Sequence, residues 1–412
     1  RNPTSAKFCD ENYVTKRQSQ ATIPPERCFR RLTPAKPAFF MGANLRESNL
    51  NYQMITTDDA LRALCDAVRH SPAIALDTEF VRTRTYYPQL GLIQVFDGEH
   101  LALIDPLPIT DWAPFTSLLT DSAVTKFLHA GSEDLEVFSS RFGVMPDPMI
   151  DTQILASFTG QPLSCGFATM VEAWTGVKLD KSESRTDWLA RPLTERQCEY
   201  AAADVWYLLP IAHQLVAKTE ASGWLPAALD ECRLMIKRRS DVLSPDEAWR
   251  EIGNAWQLRP RQLACLKLLA AWRLRHARER DMAVNFVVRE ENLWQVARYM
   301  PSSLGELSSL GLSGSEIRFH GKTLVDMVAT AQALPEDALP ETLVNLVDMP
   351  GYRKIFKDIK ALVQKVGEEK GVSAELLASR RQINQLLNWH WKLKPQNSLP
   401  ELISGWRGEL MA

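Results

Sequence analysis

Ala73-Ile74-Ala75-Leu76-Asp77-Thr78-Glu79-Phe80 is the stretch from which the rest of the chain is read. An apolar run leaves Ser71-Pro72 and ends in two carboxylates one residue apart. Pro72 does not fit a helix interior, and Ile, Leu and Phe suit a buried strand. Side chains at i and i+2 of a strand share a face, so Asp77 and Glu79 point the same way. Burying two like charges uncompensated costs several kcal/mol each, roughly, and a divalent cation between them removes that penalty. Alone the pair is weak evidence, because acidic pairs are also common in solvated turns at strand ends.

The flanking sequence gives the pair a setting. Thr56-Thr57-Asp58-Asp59 starts a helix through Leu61, Leu64 and Val68, capped by Thr57 or Asp58. After the acidic strand, Leu92–Phe96 and Leu101–Ile104 flank Asp97-Gly98, a hairpin signature with a slightly longer loop. Val124–His129 reads as a fourth strand, and Gly131-Ser132 turns it into a helix carrying Leu135, Phe138 and Phe142. Three early strands followed by βα alternation predict a mixed sheet with helices packed on it. Asp134 falls in the first turn of that helix, where it either complements the helix dipole or adds a third carboxylate at the sheet's carboxyl edge.

A further acidic residue lies in Gln197-Cys198-Glu199-Tyr200-Ala201-Ala202-Ala203-Asp204. Thr194 caps a helix there, and Tyr200 and Asp204 stand at i and i+4 on one face. A lone Y-x-x-x-D means little. Following Asp77, Glu79 and Asp134 in this order, it means a good deal.

These residues resemble the DEDDy group of 3′→5′ exonucleases. Asp77 and Glu79 match its first motif, Asp134 the second, and Tyr200 with Asp204 the third. The likeness is closest to the ribonuclease D family, through Leu76–Arg82, Tyr86-Tyr87-Pro88, Leu92-Ile93-Gln94, His129-Ala130-Gly131 and Asp187–Leu193. The resemblance implies a ribonuclease H-like α/β exonuclease domain and two divalent ions, Mg²⁺ or Mn²⁺, which prefer carboxylate oxygen. It implies that Asp77 bridges the ions, that Glu79 and Asp204 complete the water-activating site, and that Asp134 holds the second ion through water. Tyr200 would orient the attacking water, since an unperturbed phenol near pKa 10 is a poor base.

Four further positions are substrate-contact candidates. Gln94 and His129 either touch substrate or are satisfied structural groups. Trp188 is a core anchor or a platform for the terminal base. Arg191 reaches a phosphate or pairs with a buried carboxylate. Lys181 reads as a solvated charge.

The remaining composition sets bounds. With 412 residues, 45% hydrophobic and 24% charged, the chain has room for two or three domains. Seven cysteines without a C-x-x-C argue against a disulfide framework and a structural zinc, and fit a cytoplasmic location. No apolar run approaches a membrane span and no signal-peptide core is visible, so no membrane partner is expected. The net charge of −2 hides a segregation: +5 over residues 1–49, −10 over 50–244 and +3 over 245–412. An acidic middle repels polyanions unless metals occupy it. Residues 1–49, proline-rich and aperiodic, read as an N-terminal extension that is disordered or foreign to the natural chain; a basic nucleic-acid-binding arm is the alternative.

Helical spacing dominates after Ser244-Pro245-Asp246-Glu247. Leu258–Pro260 opens a long helix whose outer positions are expected to gather Arg273, Arg275, Arg278 and Arg280. Arg289–Met300 and Leu304–Leu310 predict two short helices, and 329–340 a joint. The block beyond it carries Arg353, Lys357 and Lys360 on one face. The two blocks resemble tandem HRDC modules, the helical bundles shared by RecQ-type helicases and ribonuclease D. The first rests on Trp272-Arg273, Ala277, Asp281-Met282-Ala283 and Pro301–Leu304. The second rests mainly on length, period and Tyr352-Arg353-Lys354, and would be incomplete if the natural chain continues past Ala412.

The expectation is therefore an exonuclease domain over 50–243, a first all-α HRDC bundle over 244–330 and a second HRDC-like bundle over 335–412. The expected function is a monomeric, metal-dependent 3′→5′ exoribonuclease releasing nucleoside 5′-monophosphates. The resemblance implies tRNA precursors and other small structured RNAs as substrates. The carboxylates alone also allow a DNA 3′→5′ exonuclease, because a 2′-hydroxyl must be read by neighbouring groups. A nucleic-acid-binding protein on a dead nuclease fold is the non-enzymatic alternative, and the presence of all five motif residues speaks against it.

Overall fold

The structure, a computed structural model, describes residues 50–394 and 398–412. The extension expected over 1–49 lies outside them. The chain opens with β1 (Gln53–Ile55), α1 (Asp58–Val68), β2 (Ala73–Val81), β3 (Gln89–Phe96) and β4 (Leu101–Ile104). It continues through α2 (Ala113–Leu119), β5 (Thr125–Leu128), α3 (Ser132–Phe142), β6 (Met149–Asp151), α4 (Thr152–Phe158) and α5 (Phe167–Thr175). The long α6 (Glu195–Ala221) and α7 (Leu225–Ser240) close the α/β part. The strands form one mixed sheet in the order β1-β4-β3-β2-β5-β6. β2 and β4 run antiparallel to β3, while β1 is parallel to β4, β2 to β5 and β5 to β6. In the loop from β3 to β4, Gly98 takes a φ of +101° and Asp97 accepts hydrogen bonds from the Glu99 and His100 amides. That Asx-type turn closes the hairpin.

β2 separates two cores by the alternation of its side chains. Ala73 and Ala75 pack with α4, α5, α6 and α7, whereas Ile74 and Leu76 pack with α1, α2 and α3. Continuing the period aims Asp77 and Glu79 at the α6 side and Thr78 at the α3 side. α6 starts at a capping box in which the Gln197 amide donates to Thr194 Oγ1 (3.1 Å) and the Thr194 amide to Gln197 Oε1 (3.0 Å). That box fixes where Tyr200 and Asp204 fall over the sheet. β1 and β6 escape the sequence reading because three residues are too few to show a period.

Beyond α7 the chain is helical: α8 (Pro260–Glu279), α9 (Val284–Val287), α10 (Glu290–Tyr299), α11 (Leu304–Ser309) and α12 (Gly314–Ala333). The joint expected over 329–340 begins only after Ala333, because the Ser313 capping box launches a 20-residue helix through that alanine-rich segment. α13 (Tyr352–Lys370), α14 (Ala374–Leu377), α15 (Arg380–His390) and α16 (Gly405–Met411) follow. The first helical block has a core of its own, built around Trp249, Leu266, Leu293 and Leu324. The second does not: Tyr352, Val363, Leu387 and Trp406 join the core that lies under α6 and α7. The Trp406 ring packs on Phe158 and Trp224, with centroids 5.3 and 6.3 Å away.

The expected row of outward arginines on α8 needs correcting. Arg273 is buried and donates to the Val288 carbonyl, because its position in the helical period falls among the core residues Ala270, Leu274 and Ala277. Arg275 pairs with Asp246, and Arg278 donates to the Tyr86 hydroxyl and the Leu243 carbonyl.

Candidate active site

Asp77 and Glu79 sit near the end of β2, which pairs Asp77 with Gln94 of β3 and shifts register between Glu79 and Phe80. A bulge at that point re-aims the strand end. Across from them, α6 supplies Asp204. Carboxylate oxygens of Asp77, Glu79 and Asp204 lie within 4.8 Å of one another. Asp134 approaches from the other side of the sheet, in the first turn of α3, and accepts a hydrogen bond from the Thr78 hydroxyl through Oδ1. Its charge still reaches the group, since it raises Asp77, Glu79 and Asp204 alike. Three segments far apart in sequence thus deliver four carboxylates to one strand end.

The electrostatics follow from that crowding. Burial and then the neighbouring carboxylates raise Asp77 well above the usual range and push Glu79 up to about 9. Burial raises Asp134 to about 6 and Asp204 to about 7. Without a counter-charge Glu79 holds its proton at neutral pH. A donor set made entirely of hard carboxylate oxygens, destabilised as anions by their own proximity, fits a divalent cation. Burial also raises the Tyr200 phenol, reinforced by Asp204, Glu79 and Asp77, so its hydroxyl remains a donor rather than a base. Beside Tyr200 and Asp204 opens a cleft lined by Asp180, Ser182, Glu183, Arg196 and Glu199. Lys181, in the same segment, is exposed.

The four substrate-contact candidates are placed differently. Trp188 is 1% exposed, with its ring 6.1 Å from that of Tyr200, so it backs the tyrosine and offers no free face to a base. Gly91 lets its backbone lie directly on β3, where a Cβ would come within 2.6 Å of the Trp188 carbonyl oxygen. Arg191 forms a two-point pair with Asp105 (both 2.8 Å) and donates to the carbonyls of Gly91, Trp188 and Ala190. Its guanidinium is committed to holding that loop. His129 is bracketed by Thr152 Oγ1 and the Cys165 carbonyl, each at 2.9 Å. Gln94 is wholly buried, with Nε2 3.4 Å from Asp77 Oδ2, so it stands behind the carboxylate rather than in front of it.

Two supporting residues escape the sequence reading. Thr78 gives no signal beyond its place between two carboxylates, because a threonine in a strand is unremarked. Asp151 is fully buried; it accepts from the amides of Ala130 and Gly131 and caps α4 through the Gln153 amide. It thereby anchors the turn, with Ala130 at a φ of +53°, that launches α3 and its Asp134.

Known proteins resemble this chain in sequence and fold. Residues 52–220 match the 3'-5' exonuclease family, 262–328 the HRDC domain, and 350–412 the C-terminal HRDC domain of ribonuclease D. The chain is 77% identical to ribonuclease D of Escherichia coli over 363 residues, which is 88% of this chain and 97% of the relative. It is 78% identical to that of Cronobacter turicensis over 358 residues, 87% and 97% of the two chains. The crystal structure of Escherichia coli RNase D, described as an exoribonuclease involved in structured RNA processing, superposes with a TM-score of 0.87 over 88% of this chain and 96% of that one. The catalytic core of RRP6 from Trypanosoma brucei, 22% identical, shares the fold with a TM-score of 0.56 over 75% and 89%. The fold, the tandem helical modules and the identity along nearly the whole relative lead to one assignment: this chain belongs to the ribonuclease D family of 3′→5′ exoribonucleases.

Proposed function

We propose that Asp77, Glu79, Asp134 and Asp204 hold two divalent ions, Mg²⁺ or Mn²⁺, and that Tyr200 orients the attacking water. Such ions, when bound, supply a hydroxide near neutral pH and stabilise a leaving 3′ oxygen. The observation that carries this reading is the gathering of Asp77, Glu79 and Asp204 oxygens within 4.8 Å, with Asp134 one hydrogen bond away through Thr78. Asp77, grouped with both Glu79 and Asp204 and backed by Gln94, would be the central ligand of the set. Asp204 and Glu79 act on the Tyr200 phenol ahead of Asp77, which suits them to the water site. Asp134, held back by Thr78, suits contact with the second ion through water. The Tyr200 hydroxyl, kept protonated, donates to the water and fixes its direction of attack. The products are nucleoside 5′-monophosphates.

The same reading divides the chain into an exonuclease domain over 50–243 and helical modules over 244–330 and 335–412. The substrates are RNA 3′ ends, with tRNA precursors and other small structured RNAs as the natural class, handled by a monomer in the cytoplasm. Among the described residues no helix is long and apolar enough to cross a membrane. Asp77→Asn and Asp204→Asn are expected to abolish hydrolysis while RNA binding survives, and normal turnover in either variant would refute the assignment of these carboxylates. Digesting RNA and DNA of one sequence in parallel separates ribonuclease from deoxyribonuclease. A tRNA precursor with a short 3′ trailer, compared with an unstructured strand, tests the substrate class, and sedimentation the monomer.

A further inference from the structure

We propose that Glu136 is a positioning residue of the reaction: clamped between Arg82 and Arg239, it fixes where the helix carrying Asp134 stands relative to the strand end carrying Glu79. The proposal rests on the two-ion reading above and adds a residue that lies outside the acidic set. The need for a clamp follows from the sheet. β2 pairs with β5, the strand that feeds α3, only as far as Ala75 and Phe127. Beyond that rung β2 runs on to Val81, and this is the stretch that holds Asp77 and Glu79. α3 starts beside it at Gly131, without a side-chain cap. A strand end and a helix start that must meet around the same ions to within about 0.5 Å therefore depend on side-chain ties.

Thr78 supplies one tie, to Asp134 itself. Glu136 supplies another from outside. Its Oε1 accepts from Arg82 Nη1 (2.8 Å) just past the end of β2, and its Oε2 from Arg239 Nη1 (3.1 Å) in the last turn of α7. Arg239 Nε also donates to Ser132 Oγ (2.8 Å), one helical turn before Glu136, so its guanidinium grips the start of α3 at two points. A cation at a helix N-terminus faces the wrong end of the dipole, and Glu136 supplies the charge that keeps it there. Both arms are themselves braced. Arg82 Nη2 donates to the Tyr86 carbonyl (2.7 Å), and the Tyr86 hydroxyl accepts from Arg278 of the first helical module (3.0 Å). Arg238, beside Arg239, pairs with Glu401 of the second module (2.6 Å). The side chains of Arg82, Glu136 and Arg239 are 39%, 27% and 35% exposed, too wet for such pairs to carry much stability. What they contribute is geometry.

The test uses the full chain carrying Glu136→Gln, Arg82→Met or Arg239→Met, with a short single-stranded oligoribonucleotide and Mn²⁺. Glu136→Gln should lower kcat roughly 10–100-fold, the range for groups that orient metal-binding side chains, with KM for RNA unchanged. The arginine variants should act in the same direction. Calorimetric titration with Mn²⁺ alone should show weaker binding, and Tm should stay within about 2 °C of the wild type. Arg82→Lys keeps a cation for Glu136 and should recover most of kcat. Arg82→Met/Glu136→Gln should be no slower than Glu136→Gln, because the second change breaks a tie already lost. Arg62→Met, which breaks an ion pair with Asp111 far from the site, should leave kcat unchanged. Wild-type kcat and Mn²⁺ affinity in Glu136→Gln overturn the proposal. So does a loss of kcat that tracks a fall in Tm and returns on cooling, the mark of a merely structural role. A raised KM in Arg82→Met with normal kcat would place Arg82 on the substrate and also overturns it. Unaltered turnover in Asp77→Asn would instead strike the two-ion reading, whatever the Glu136 variants do.

Discussion

The Thr78 hydroxyl donates to Asp134 Oδ1, joining the middle residue of the acidic strand to a carboxylate that arrives from the helix on the opposite face of the sheet. Thr78 therefore acts on the site through Asp134. Partners that orient a ligand typically affect metal affinity or activity about 10–100-fold. Thr78→Val, which keeps the shape and removes the hydroxyl, should lower kcat by about that factor with little change in KM for RNA. Thr78→Ser restores the donor and should restore kcat. Equal kcat in the valine variant and the wild type would mean that Asp134 needs no such partner.

The raised carboxylates give the metal-free protein a pH dependence of definite sign. Asp134, Asp204 and Glu79 sit at about 6, 7 and 9 in the folded state, all above the ordinary carboxylate range. Between about pH 4 and 9 the folded chain thus holds more protons than the unfolded chain, and stability falls as pH rises. Divalent ions replace those protons. The increase in Tm on adding Mg²⁺ or Mn²⁺ should therefore be larger at pH 8.5 than at pH 6, and calorimetry should register proton release on binding. In Asp77→Asn/Asp204→Asn both effects should shrink. A metal-induced Tm increase independent of pH would argue against these carboxylates as the ion site.

Much of this was legible in the chain because strand alternation is strict. Once Ala73–Leu76 is a buried strand, Asp77 and Glu79 must share a face, and the four-residue step from Tyr200 to Asp204 brings a second pair to meet them. The side chains that hold these groups in place were not legible. Thr78 is an ordinary strand residue whose importance depends on which neighbour the fold delivers. Arg191 and Asp105 are 86 positions apart, and only the folded loop makes them partners. Arg273 looked solvated because charge was weighed above its place in the helical period. The merging of the last module's core with that of the α/β domain has no local signature at all.

Arg191 tests whether its guanidinium serves the loop or the substrate. Its two-point pair with Asp105 and three carbonyl contacts cannot be reproduced by an ammonium. Arg191→Lys should lower unfolding stability by about 2 kcal/mol, read from the urea midpoint, with KM for short oligonucleotides unchanged well below the transition. A raised KM without loss of stability would return Arg191 to the substrate.

The second helical module is bound to the exonuclease core by a buried ion pair. Arg407 and Glu231 side chains are 3% and 9% exposed, and they are bonded to each other. Trp406 Nε1 donates to the same Glu231 carboxylate (2.8 Å), and Arg407 also donates to the carbonyls of Leu376 and Leu377. Removing one partner leaves the other charge buried and unpaired, which costs about 3–5 kcal/mol. Arg407→Met should therefore destabilise the α/β domain itself, seen as faster hydrogen exchange in α7 and around Phe158, although every acidic site residue is untouched. Replacing both charges, as Glu231→Leu/Arg407→Met, removes the unpaired charge and should recover most of the loss. The shared core also makes a chain cut before α13 expose Phe158 and Trp224, so it should lose exonuclease activity through instability at 37 °C and regain it on cooling. If that truncated chain unfolds at the same denaturant concentration as the whole, the module is docked without contributing to the domain's stability.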